Sequence, residues 1–72
     1  MSMIFDDAPK MPGILGDYAK VAFFEKTDPP RVLIRAVDAL GEDAASLAFS
    51  PDQARALAAA IVAAANQAEA GQ

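Results

Sequence analysis

From Ser50 to about Glu69 nothing in the chain breaks a helix, and four consecutive residues specify where that helix begins. Ser50 offers the side-chain oxygen of an N-cap, and Pro51 suits the first helical position. Asp52 complements the positive helix end, and Gln53 closes a capping box. Gly71 follows as a stop. Ala54, Leu57, Ala58, Ile61, Ala65 and Ala68 recur at helical spacing and form the expected inward stripe, with Val62 at its margin. The far side, Ala56, Ala59, Ala60 and Ala63, is nearly as apolar, and a helix apolar all round is as a rule covered on both sides. Those four alanines are the expected assembly face, flat enough for close approach of a second copy. Alanine is also the best helix former and tolerates water, so the same face can simply be solvated.

A helix of that kind needs a surface to lie on, and the preceding residues read as strands. Lys20 to Lys26, with Val21, Phe23 and Phe24, is rich in β-branched and aromatic residues. Thr27-Asp28-Pro29-Pro30 stops it, since proline cannot donate to a ladder. Arg31 to Asp38 is the second strand of a hairpin. After a loop in which Gly41 is free to take positive φ, Ala44 to Phe49 reads as a shorter third strand, with Ala45, Leu47 and Phe49 on one face. The expected fold is therefore α+β: a short antiparallel sheet of two to three strands, a β-hairpin plus a third strand, followed by one Ala-rich C-terminal helix.

Alternation divides the hairpin into two faces. Val21 and Phe23 share one with Val32, Ile34 and Ala36, which makes it the natural core. The other combines Lys20, Ala22, Phe24 and Lys26 with Arg31, Leu33, Arg35 and Val37. Long charged side chains over apolar neighbours are ordinary on a solvated sheet face. Cations around an aromatic ring also bind single-stranded nucleic acid, so Lys20, Phe24, Lys26, Arg31 and Arg35 form the alternative, nucleic-acid-binding face. A net charge of −4 weighs against it.

Residues 1–18 form an irregular N-terminal arm, punctuated by Pro9, Pro12, Gly13 and Gly16, ahead of a single ββ(β)α domain over residues 19–72. The arm carries Ile4, Phe5, Ile14 and Leu15, more apolar weight than a free tail needs. These residues either cover an edge of their own domain or dock on a neighbouring subunit. In the second case, deleting residues 1–16 leaves the sheet and helix folded.

The residue inventory excludes more than it suggests. With no Cys and no His, disulfides, thiol nucleophiles, histidine acid–base chemistry and the usual zinc sites are ruled out. Asp6-Asp7 and Glu42-Asp43 lack calcium-loop spacing, and Gly13-Ile14-Leu15-Gly16 has no following Lys-Ser/Thr of a phosphate loop. Pro9-Lys10-Met11-Pro12 fits the loose P-x-x-P pattern. No catalytic, metal or cofactor-binding residue is expected, and no small-molecule substrate is evident. The N-terminus has no basic region ahead of an apolar run, and no apolar stretch reaches the ~20 residues of a membrane span, so a cytoplasmic protein is expected.

The stretch Phe49-Ser50-Pro51-Asp52-Gln53-Ala54-Arg55-Ala56-Leu57-Ala58, running into its Ala-rich tail, resembles the strand-then-helix endings of small uncharacterised proteins of actinobacteria and their phages. The resemblance implies a small accessory protein and transfers no site residue. A chain of this length buries only about 60% of the surface it exposes unfolded, and small folds of that kind lean on partners. The expected function is thus a non-catalytic assembly module, a homo-oligomer or an accessory subunit of a larger complex. A small regulatory nucleic-acid-binding protein, or an inhibitor or antitoxin-like binder of one protein, is the alternative.

Overall fold

The computed structural model describes residues 3–71; Met1 and Ser2 of the expected arm, and Gln72, lie outside it. A 3-10 turn at Met3–Phe5 precedes four strands, β1 (Lys10–Pro12), β2 (Tyr18–Phe24), β3 (Arg31–Val37) and β4 (Asp43–Phe49), and the helix α1 (Pro51–Ala70) ends the chain. The strands form one antiparallel meander in the order β1-β2-β3-β4. The α+β class follows, with four strands in place of the expected two to three.

The additional strand is β1, inside the segment expected to be irregular. Its three residues pair Lys10 with Lys20, Met11 with Ala19 and Pro12 with Tyr18. An edge strand tolerates proline because its outer N–H positions need no ladder partner. The turn that returns the chain is closed by the Gly13 amide donating to the Asp17 carbonyl at 2.8 Å, with Gly16 at φ +89°. The prolines and glycines that argued against regular structure here are thus the residues of a short edge strand and its turn.

The hairpin and helix start match expectation more closely. β2 runs two residues earlier than read from sequence and ends at Phe24, so Lys26 lies in the β2–β3 connection. The β3–β4 turn is tied by Asp38, whose carboxylate accepts from the amides of Leu40 (3.0 Å) and Glu42 (2.9 Å). Gly41 there has φ +83°, as its position in the loop demands. At the helix start, the Gln53 amide donates to Ser50 Oγ and the Ser50 amide donates to Gln53 Oε1, the complete capping box.

Packing departs most from expectation. Among the described residues only Phe5 and Val37 are buried. α1 lies near β3 and β4 and near no other element of the described residues. Only Pro51, Ala54 and Leu57 on it are half-buried, and every position from Ala58 onward is exposed. The stripe read as inward therefore faces the protein for its first two turns and then runs past the sheet. The molecule measures 43 × 31 × 17 Å with a radius of gyration of 13.7 Å, against about 11 Å for a compact chain of this length. Its accessible surface is 5712 Å², against roughly 4,200 Å² for a compact monomer of its mass.

Candidate functional site

The strand registers sort the sheet into two chemically distinct faces. Val21 lies opposite Ile34, Phe23 opposite Val32, and Ala19 opposite Ala36. The series continues through β4, with Leu47 opposite Ile34, Phe49 opposite Val32 and Ala45 opposite Ala36, and through Met11 of β1 opposite Ala19. Directly opposed residues in antiparallel strands share a face. One face is thus built of Met11, Ala19, Val21, Phe23, Val32, Ile34, Ala36, Ala45, Leu47 and Phe49, without a polar side chain among them. This is the face expected to be the core, and it is largely open. Met11, Val21, Phe23 and Leu47 are between 44% and 72% exposed. α1 offers little cover to the sheet: beyond Leu57 its large apolar residues are Ile61 and Val62, both exposed.

The opposite face holds the cations. Lys10, Lys20, Arg35 and Ser46 form a row across all four strands. Three neighbouring positive charges would repel, and each is relieved separately. The Lys10 ammonium lies 4.7 Å from the centre of the Tyr18 ring, a cation–π contact. The Lys20 ammonium donates to the Phe5 carbonyl at 3.2 Å. Arg35 donates through Nε to Asp43 Oδ1 at 2.8 Å, and its Nη2 lies 2.6 Å from the same oxygen. Val37 is buried on this face, with Phe24 and Leu33 half-buried.

Of the five residues named for nucleic-acid binding, the sheet brings together Lys20, Phe24, Arg31 and Arg35, with Phe24 directly opposite Arg31, and leaves Lys26 outside the strands. Lys20 and Arg35 already have partners within the chain. The docking-arm residues separate: Phe5 is buried against its own chain, Ile4 is partly exposed beside it, and Ile14 and Leu15 project from the β1–β2 turn into solvent. Ala56, Ala59, Ala60 and Ala63 are all exposed on α1. Residues 10–12 of the P-x-x-P stretch are strand, not polyproline helix.

Sequence reasoning missed Lys10, Met11 and Tyr18 as surface-defining residues; it put Leu47 on one face with Ala45 and Phe49 but did not anticipate that the face would be open. The available signal was volumetric: an alanine stripe supplies too little side chain to cover a face carrying Phe23, Ile34, Leu47 and Phe49. Asp43 finds its role as the partner of Arg35. No cluster of three or more potential metal-ligating side chains occurs among the described residues, and no helix among them is long and apolar enough to cross a membrane. Comparison with protein-family models, curated proteins and solved structures finds no match.

Proposed function

We propose that this chain is a non-catalytic protein–protein assembly module, acting as a small homo-oligomer or as an accessory subunit of a larger complex. The observation that carries the reading is the uniformly apolar sheet face with Met11, Val21, Phe23 and Leu47 largely exposed. A contiguous apolar patch on that scale marks an interaction surface, because water contact with it costs roughly 25 cal/mol per Å². The chain exposes roughly 1,500 Å² more than a compact monomer of its mass, surface available to a partner. The exposed helix positions Ala56, Ala59, Ala60 and Ala63, with Ile61 and Val62 beside them, add apolar surface to the same end.

A second reading draws on the gathering of Lys10, Lys20, Arg31 and Arg35 on one face: recognition of single-stranded nucleic acid. The partners already held by Lys20, Arg35 and Tyr18 count against it.

Changing Phe23 and Leu47 together to Lys tests the main reading by light scattering and circular dichroism. The expected result is loss of assembly, with the parent assembled at micromolar concentration. A parent that is monomeric at every concentration and captures no protein overturns it. Binding of a single-stranded oligonucleotide that weakens steeply with salt would transfer the assignment to the basic face.

A further inference from the structure

We infer that two copies of this chain join through the outer edges of their β4 strands, antiparallel about a two-fold axis beside Ser46, into one continuous eight-stranded sheet. The inference rests on the assembly reading and names its partner and geometry.

The two edges of the sheet are treated very differently by the sequence. The β1 edge is only three residues long and carries Lys10 and Pro12, with Pro9 just before it and the N-terminal turn lying against β2 beyond its end. Short length, lysine and proline are the devices by which sheet edges resist pairing. β4 has none of these three; its one irregularity is a bulge at Ala44, between the Ala36–Ala45 and Val37–Asp43 pairs, at the start of the strand and away from Ser46. The strand is seven residues long, contains no Pro, Lys or Arg, and its one charge, Asp43, is taken up by Arg35 within the chain. Residues 43–48 are all exposed, and among the described residues no strand pairs with its outer edge. A seven-residue edge of that kind is a template for another strand.

The β4 sequence is also compatible with itself in the antiparallel sense. Centred on Ser46, the pairing sets Ser46 against the partner copy's same residue and Ala45 against the partner copy's residue 47, a small side chain opposite a leucine. The two Asp43 residues fall at opposite ends, so no like charges meet. A two-fold axis normal to the sheet keeps both apolar faces on the same side, doubling the surface on which a larger complex or a second pair can settle.

Ser46 lies on the basic face, away from the apolar one, and is opposite Arg35 within the chain. Ser46→Cys would be the only thiol in the protein. Across the proposed axis its Cα lies about 4.5–5.5 Å from the partner copy's, within disulfide reach. Ser46→Glu sits favourably beside Arg35 in one copy but opposes the second copy's carboxylate. Expected are a spontaneous Ser46→Cys cross-link at micromolar concentration, and at least tenfold weaker self-association of Ser46→Glu with unchanged circular dichroism. If the parent assembles and the Cys variant does not cross-link, or the Glu variant associates as the parent does, the edge pairing is wrong, while the assembly reading stands on Phe23→Lys alone, which lies on β2 and away from the β4 edge. A parent that is monomeric at all concentrations overturns the edge pairing directly; the assembly reading then survives only through capture of a foreign protein.

Discussion

Gly41 shows how a single residue can be read from sequence to backbone. It follows Asp38-Ala39-Leu40 between two strand-forming runs, where a tight turn needs one residue in the left-handed region, and its φ is +83°. No atom beyond its chain neighbours stands within 4 Å of where a Cβ would be, so the only penalty for a side chain is conformational. Gly41→Ala is expected to cost about 1–2 kcal/mol, and Gly41→Asn distinctly less, because asparagine visits that region more readily. Urea titrations of the three proteins check the order. The charged residues were legible by type and parity but not by partner. That Lys10 and Lys20, directly opposite each other, turn apart to the Tyr18 ring and the Phe5 carbonyl depends on β1, and β1 was not visible.

At the scale of elements, legibility followed the locality of the signal. The capping box of α1 lies within four residues and was readable to the residue; the parity of β3 and β4 and the existence of the β2–β3 hairpin were readable too, but β2 begins and ends two residues earlier than expected. Ser50→Ala should cost about 1 kcal/mol and appear as lost helical signal, since only Pro51, Ala54 and Leu57 on α1 are half-buried and the helix depends on its own start. β1 was hidden because three residues ending in proline gain strand structure only from their neighbour β2. That pairing changes what truncation does. Deleting residues 1–16 removes Phe5, one of the two residues buried among those described, together with β1, and opens the β2 edge. The truncated chain is expected to lose strand signal and aggregate rather than remain folded, which circular dichroism and sedimentation will show. A soluble, folded truncation would mean that the N-terminal segment contributes nothing to the sheet.

For the whole molecule, the parity of the core face could be read but its exposure could not, because coverage is a property of volume across elements and not of pattern within one. A sheet 17 Å thick with its helix, and with only two buried residues among those described, leaves little to offset the conformational entropy of folding. If the chain assembles as proposed, its folding is coupled to association, and its stability then depends on protein concentration by mass action. For a dimer that unfolds to two separate chains, a tenfold rise in concentration adds about 1.4 kcal/mol to the stability of the folded form. Spread over the unfolding entropy of two such chains, that corresponds to a rise in melting temperature of about 3–6 °C. Melting curves at three concentrations spanning a hundredfold range will show it. The Phe23 and Leu47 double lysine variant should lose both the concentration dependence and most of the cooperative transition, since it removes the apolar surface rather than any local structure. A parent whose melting temperature is independent of concentration over that range would mean that the sheet and helix are stable alone. The open apolar face would then contribute nothing to holding the fold.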